Sequence, residues 1–585
     1  MTREMETSVL IVGAGPSGLA MALDLGWRGI DCIVIDQQDE VSTLPRAAGL
    51  TWRTMEFCRR WGIADRVYNA GFPRDYRMDI VYCTSLSGHQ LERELYEPLG
   101  GRPPPAYSPQ DRERCPQKMF DPVLERAARE YAGVRILKPH RMESFEETDG
   151  GVTAYVRALK SSWANDFTGD APARVAIGKP ADLSGEDLVT IRAQYMVACD
   201  GVDSGVRNAL GIALDGTPVL NYTVSLLIES EWLQRHHAMG EAERYMLVGP
   251  AGIWGNLTVV DGRKEWRLSL TGSAQKLDLP NLDTDAIVRR CFGRDDIDFK
   301  VKALAPWRRR EVVASRLRHG NIFIAGDAAH AMSPTGGFGM NTALQDVVDL
   351  GWKLDAMLKG WGGEQLMDSY DPERRPIGTW FVKAATSLFR PWLLKLDYSK
   401  ILDDTPEGEA TRKEVGATLK EVMLPEWDID GTAMGYRYED SPICVPDGTP
   451  PAPSDPVIYV QTSRPGSRAP HAWLADGRST LDLFGRGFVL LRFGGKDVDV
   501  APLEAAAQAC GVPLTVADIE QPGIAALYER RLTLVRPDGH SAWRGDALPA
   551  DAVGLIDIVR GARPRKTAAD ASSQVLAEPA AAGTT

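Results

Sequence analysis

The stretch Ser8-Val9-Leu10-Ile11-Val12-Gly13-Ala14-Gly15-Pro16-Ser17-Gly18 runs through an Ala/Leu-rich segment to Cys32-Ile33-Val34-Ile35-Asp36, and its reading decides the fold. Val9–Val12 is a short apolar run stopped by a Gly-rich turn. The residues after Pro16 carry apolar side chains at helical spacing, and Cys32–Ile35 is a second apolar run. Strand, turn, helix and strand in this order predict a βαβ unit. Glycines at 13, 15 and 18 permit a tight turn and the close backbone approach that a pyrophosphate at a helix N-terminus requires. Gly13, Gly15, Pro16, Ser17 and Gly18 are therefore candidate cofactor contacts. Asp36, ending the second strand, is placed to accept hydrogen bonds from an adenosine ribose. Alone, the motif fits NAD, FAD or a Gly-rich turn without a ligand.

Two later junctions repeat the pattern of strand into turn. Tyr195–Cys199 leads into Asp200-Gly201-Val202-Asp203-Ser204, with Arg207 one helical turn past Asp203, where it serves either an ion pair with Asp200 or a cofactor. Ile322–Ala325 leads into Gly326-Asp327-Ala328-Ala329-His330, then Pro334 and Gly337-Phe338-Gly339-Met340-Asn341. An Asp at such a turn is suited to a ribityl hydroxyl. Amides around Gly339, Met340 and Asn341 open a helix whose positive end suits the charge a reduced flavin carries at its pyrimidine edge. His330 is read as a structural residue or a proton relay.

Working outward, residues 213–303 alternate apolar and polar side chains, as in Glu265-Trp266-Arg267-Leu268-Ser269-Leu270, and predict an inserted antiparallel sheet, with 77–109 assigned to the same insertion. From 340 to 398 the pattern is helical, broken at Gly360–Gly363 and Pro376. The expected organisation is a Rossmann-like α/β domain over 1–400 carrying that sheet, a helical and Pro-rich linker over 401–454, a small α/β domain over 455–562 and a disordered tail over 563–585. Within the inserted sheet Tyr222, Trp254, Trp266 and Arg267 are candidate substrate contacts, aromatics to stack on a ring and a cation to stabilise a phenolate.

Composition narrows the function classes. A chain of 585 residues with 44% hydrophobic and 25% charged residues reads as a multidomain globular protein without a membrane span. A formal charge of −13 without a basic tract disfavours nucleic acid and anionic membranes and leaves a small molecule as the expected partner. The eight cysteines contain no C-x-x-C pair, so neither a zinc site nor a dithiol centre is expected, and no metal is assigned. The N-terminus lacks the apolar stretch of a signal peptide, and a cytoplasmic location is expected.

In their order and spacing the three motifs resemble the class A flavoprotein monooxygenases, the family of para-hydroxybenzoate hydroxylase and phenol hydroxylase, over the first 400 residues. The resemblance implies non-covalent FAD, with the first motif on its pyrophosphate, Asp327 on the ribityl chain and Asp200 touching FAD and NAD(P)H. It places Arg46 near the mobile isoalloxazine and Gln117 near the ribityl or phosphate region. It also implies NADPH or NADH as co-substrate, hydroxylation of a phenolic ring by O2 through a flavin C4a-hydroperoxide, and is compatible with a homodimer. Since the cofactor does the chemistry, no catalytic side chain is assigned. Ser463–His471 and Leu534–His540 resemble the larger phenol hydroxylase-like members, which carry a thioredoxin-like third domain. Without a C-x-x-C its role is packing or dimerisation, and His471 and His540 are read as structural.

The chain departs from the family pattern at Ser333, where a second proline is common, at Phe338, expected to narrow the substrate pocket, and over 158–186, a longer connection without a functional account. Two other readings stand beside hydroxylation: Baeyer–Villiger or epoxidising oxygen insertion on a polyketide-like substrate, and a non-redox binding protein of the Rab escort type.

Overall fold

The chain is described from a computed structural model, which covers residues 3–39, 47–148, 150–160, 177, 187–235 and 237–565. Arg46, nearly all of the 158–186 connection and the tail from 566 onward lie outside the described residues.

Short strands rich in Val, Ile and Cys, buried on both faces, build a parallel sheet. Its order is Ile322–Ile324, Leu188–Ala198, Arg3–Val12, Cys32–Ile35, Val134–Leu137, all parallel, with Arg318–His319 added antiparallel at the edge. An antiparallel arm, His140–Thr148 and Gly151–Ala158, joins the first half of Leu188–Ala198. Helices Pro16–Arg28, Gln117–Arg129 and Phe338–Leu358 bury their apolar stripes against one face of the sheet. The turns after Val12, Ile35, Ala198 and Ile324 all lie at the carboxyl ends of neighbouring strands, the edge where open α/β sheets bind ligands.

The second sheet has eight strands. From His330–Ala331 it runs through Lys300–Ala314, Leu214–Glu229, Glu265–Leu270, Gly252–Val259 and Arg244–Gly249 to Ile80–Cys83 and Gln90–Glu94, antiparallel except where Arg244–Gly249 meets Ile80–Cys83. His330–Ala331 follows directly on the Gly326–Ala328 turn, so the two sheets are stitched together beside that motif.

A third sheet, ordered Leu514–Ile519, Phe488–Phe493, Leu532–Val535, Ser541–Gly545, has its first pair parallel and the others antiparallel. Helices Ala501–Ala509, Pro522–Tyr528 and Ala552–Val559 complete a thioredoxin-like arrangement. It packs through Phe488 onto Trp352 and Trp361 of the first domain. Helix Pro406–Trp427 packs on the second sheet, against strand Gln90–Glu94 and Trp392.

Pro376 does not break the chain as expected: Tyr370–Phe389 is one helix with this proline inside it. A proline costs one helix hydrogen bond. Here the neighbouring turn is fixed from outside, by Arg374 on Asp346 at 2.8 Å and by Glu373 on Lys353 at 2.6 Å, all four side chains buried.

Candidate functional site

The three glycine motifs meet at one place. A Cβ added to Gly13, whose φ is +103°, would stand 2.4 Å from the carbonyl oxygen of Cys199, and one on Gly326 would stand 2.3 Å from Ser17 Oγ and 3.3 Å from Ala343 Cβ. A Cβ on Gly18 would stand 1.9 Å from the Gly13 oxygen. These glycines exist for close packing of turn on turn. Gly15, Gly337 and Gly339 differ, because a Cβ there meets nothing within 4 Å. Their open side is a cradle of bare backbone at the N-termini of two helices, Pro16–Arg28 and Phe338–Leu358, neither of which has a side-chain cap. Uncapped amides at two helix ends suit an anionic, dinucleotide-sized group. Asp327, Pro334 and Gly337 are exposed on this otherwise buried segment.

The other motif residues hold the cradle in shape. Asp36 accepts from the Ala14 amide at 2.6 Å and the Gln38 amide at 2.8 Å. Asp200 accepts from the Val206 amide at 3.1 Å, and burial raises its pKa. Arg207 donates to the carbonyls of Val202 and Ala328, both at 3.0 Å, and so ties the Asp200 turn to the Gly326 turn. Gln117 is buried, donating to Asp121 at 3.1 Å, and its amide bonds Ala47. Met340 is buried in the core. Asn341 has its carboxamide fully engaged: Oδ1 accepts from the Thr51 amide and from Thr51 and Thr54 hydroxyls, while Nδ2 donates to Gly49 and Gly337. His330 is buried on Asp346 at 2.8 Å, and Asp346 also accepts the Gly326 amide at 3.0 Å. Burial opposes ionisation of Asp346, yet His330 and Arg374 hold its pKa below the ordinary range.

The second sheet turns two unlike faces inward and outward. Outward, Val224, Leu226, Ile228, Leu257, Val259, Trp266 and Leu268 form a closed apolar core. Inward, cross-strand neighbours form two polar rows: Ser225, Ser269 and Asn256 in one, Leu227, Arg267, Thr258 and Arg244 in the other. Ser225 and Ser269 share a hydrogen bond of 2.8 Å, and Trp307 donates to Ser225 at 3.1 Å. Arg309 reaches from this face to Ser333, one residue before Pro334, and stacks on Phe389 at 3.6 Å. On the far side Arg114, three residues before Gln117, binds Glu243 and the Val259 carbonyl. The polar face therefore lies between the two ends of the cradle.

Cations crowd this face. Burial pushes Arg267 down to about 9, with Arg244 and Arg114 adding repulsion, and burial pushes Arg309 down to about 10. Burial also pushes Glu426 up to about 7, even with Arg244 at 3.4 Å and the Trp392 indole donating at 2.6 Å. The Nε atoms of Arg114, Arg244 and Arg309 and the Oδ1 of Asn221 are buried and have no partner among the described residues. Buried polar atoms are paired in the great majority of cases, so such a set marks a place for a polar ligand or water.

Three of the four substrate candidates are corrected. Trp266 is fully buried on the outward face against Tyr245. Trp254 also turns outward, where Arg290 of helix Thr284–Phe292 covers its ring at 4.2 Å. Tyr222 shares its side of the strand with Val224, away from Thr223 and Ser225. Only Arg267 faces inward. Phe338, expected to narrow the pocket, instead packs against Phe381 at 5.3 Å in a separate aromatic cluster. Arg114, Arg244, Arg309, Ser225, Ser269 and Glu426 were not found from the sequence. For Ser225, Ser269, Arg244 and Arg309 the signal was present as hydroxyl and cationic residues alternating with apolar ones; Arg114, on a two-residue strand, and Glu426, on a helix, carried none.

The sequence matches the model of an FAD binding domain over residues 6–385 and that of the aromatic-ring hydroxylase C-terminal domain over 462–576. It is 31% identical to the tetracenomycin B2 monooxygenase-dioxygenase of Streptomyces olivaceus, covering 95% of this chain and 98% of that one. To the 2,4-dichlorophenol 6-monooxygenase of Cupriavidus pinatubonensis it is 30% identical, covering 96% and 97%. The rebeccamycin biosynthetic enzyme RebC, solved with reduced flavin and with bound 7-carboxy-K252c, superposes with a TM-score of 0.85 at 36% identity, covering 96% of this chain and 100% of that one. Matched by the family across well over half its length, and by relatives 30% identical or more over nearly all of it, the chain belongs to the FAD-dependent aromatic-ring hydroxylases.

Proposed function

We propose that this chain hydroxylates a fused-ring phenol, using NADPH or NADH and O2, on the inward face of its second sheet. The observation that carries the reading is the breadth of that face. The polar residues of each row span three strands and the two sets are offset by one, so that together, from Ser225 to Arg244, they reach across four neighbouring strands, a width of about 14 Å at the usual strand spacing. One ring fills only part of that width. A relative named for a dichlorophenol supports the phenolic class, and RebC, the neighbour with 7-carboxy-K252c bound, supports a site of this build taking a larger ligand.

Bound FAD supplies the redox chemistry, taking electrons from the nicotinamide and activating O2. The chain's own residues bind and orient. Gly15, Gly337 and Gly339 give backbone access to the cofactor, Asp36 and Asp200 fix the turns, and exposed Asp327 offers its carboxylate to a ribityl hydroxyl. Arg46 and Gln117 are proposed contacts to the isoalloxazine and ribityl regions. Arg267 and Arg309 favour a phenolate over a phenol, which makes the ring the better nucleophile. Glu426, poised near neutrality, is the group to receive the phenolic proton. The wall of Phe389, Trp392 and Trp427 excludes water from that end.

The test is anaerobic bleaching of the visible flavin band by NADPH and by NADH, with one-ring phenols and with two- to four-ring phenols. A fused-ring phenol is expected to accelerate bleaching well beyond any one-ring compound. Equal stimulation by one-ring phenols, or none by either group, contradicts the reading.

A further inference from the structure

Between the first domain and the thioredoxin-like domain lies a cavity of about 150 Å³, which shares no lining residue with the inward face just described. At roughly 10–15 Å³ per water it has room for about ten. Helix Trp52–Arg60 forms one wall with Arg53, Glu56, Arg59 and Arg60, and the segment Leu481–Phe484 forms the other.

The charges around it do not balance. Arg59 is paired in both directions with Asp482, at 2.7 and 2.8 Å. Arg53 and Arg468 share one carboxylate, Glu56, whose oxygens also receive Ser108, so by direct ion pairs this group holds one more cation than anion, with Asp538, whose carbonyl accepts Arg53 at 2.8 Å, the next carboxylate. Arg60 is the second. Among the described residues its side chain makes no ion pair and no hydrogen bond; the residue is half-buried, its Nη1 is fully covered, and its guanidinium lies over Phe57 at 5.7 Å and beside Gly539. The Nε of Arg53 is likewise buried without a partner. Burial, reinforced by repulsion from Arg53 and Arg28 and opposed by the carboxylates of Asp24 and Asp538, pushes Arg60 down to about 10. A guanidinium in such a place is costly unless something anionic joins it, and this surplus stands in a chain whose formal charge is −13.

We propose that this interdomain cavity is a binding site for a phosphate-class oxyanion, held by Arg60 and Arg53. A tetrahedral dianion offers the planar fork of Arg60 two acceptors and leaves others for Arg53 Nε. Because its walls come from both domains, the ligand fastens one to the other. The same chemistry has two sources, inorganic phosphate and the phosphoryl groups of a nucleotide.

The experiment uses the FAD-loaded full chain. Thermal unfolding is followed while inorganic phosphate is titrated at constant ionic strength against chloride, for wild type, Arg60→Gln and Arg60→Lys. The site predicts saturable stabilisation by phosphate in wild type, an affinity at least about tenfold weaker in R60Q, and partial recovery in R60K. NADPH, NADH and ADP are titrated in parallel. Competition of ADP with phosphate, lost in R60Q, assigns the nucleotide source, and its absence assigns free phosphate. Stabilisation that never saturates, or that is equal in wild type and R60Q, overturns the proposal. Should R60Q fail to fold, a wild type indifferent to phosphate overturns it equally.

Discussion

At the scale of single residues the glycines make the sharpest statement, because geometry separates two kinds. Gly18→Ala forces a Cβ to 1.9 Å from the Gly13 carbonyl, so it is expected to lower the melting temperature even of apoprotein. Gly15, with φ −76° and open space before it, tolerates alanine in the fold. Gly15→Ala should therefore leave the apoprotein's melting temperature unchanged and weaken FAD binding, a split read by calorimetry beside flavin fluorescence titration. Equal effects of the two variants on the apoprotein contradict the assignment of the cradle. Glu426 yields a pH prediction. Its folded pKa near 7 exceeds the ordinary 4.5, so the native state holds this proton more tightly than the unfolded chain does. The stability it contributes is complete below about pH 4.5 and is lost as pH rises to about 7, a change of about 3 kcal/mol. Glu426→Gln removes that dependence. Urea unfolding should show the variant gaining on wild type between pH 5 and 8, and a constant difference across that range counts against a buried, protonatable Glu426.

At the scale of elements, the junction of helix Phe338–Leu358 with the segment Gly49–Thr54 depends on four hydrogen bonds of Asn341, whose fifth closes back on Gly337. Asn341→Ala leaves buried donors and acceptors on both sides unpaired, at about 1–3 kcal/mol for each that water cannot reach. The expected result is a lower melting temperature together with weaker FAD retention on gel filtration, since the same helix end forms the cradle. Which elements form was legible in the sequence: apolar runs ending in Gly-rich turns gave the parallel strands, and their order placed all the motifs at one edge. Which face a strand presents was not. A period of two says that Trp266 and Arg267 point oppositely, but both faces of this sheet are covered, so the pattern could not say which member of that candidate pair faces the pocket, and the aromatic members prove to lie on the core side. The apolar row, Val224, Leu226 and Ile228, was the core, and its polar alternates, Thr223 and Ser225, mark the site. Asn341 was picked out for its backbone. Its side-chain role depends on partners nearly 300 residues away, which no local pattern reveals.

At the scale of the whole molecule, the domains are joined through buried charge. Arg536 of the thioredoxin-like domain meets Asp349 at 2.9 Å, Asp538 at 2.8 Å and both oxygens of Glu373, while Lys353 binds the same Asp349 and Glu373. Removing one partner of such a set costs about 3–5 kcal/mol, because the remaining carboxylates stay buried. Arg536→Met should lower stability by that order in urea unfolding and should speed proteolysis between the domains. A variant as stable as wild type means that the network does not couple them. The thioredoxin-like order is not accompanied by a C-x-x-C pair: Cys444 is a buried free thiol, and Cys510 a partly buried one.

The central claim is that the chain inserts one oxygen atom of O2 into an aromatic ring. The direct test is turnover of the best phenol from the bleaching panel under 18O2, with NADPH and mass spectrometry of the product. The expected product carries a single 18O on the ring, with NADPH consumed in near-equal amount. A product labelled only from water, or NADPH consumption that ends in hydrogen peroxide with every phenol of the panel, contradicts it.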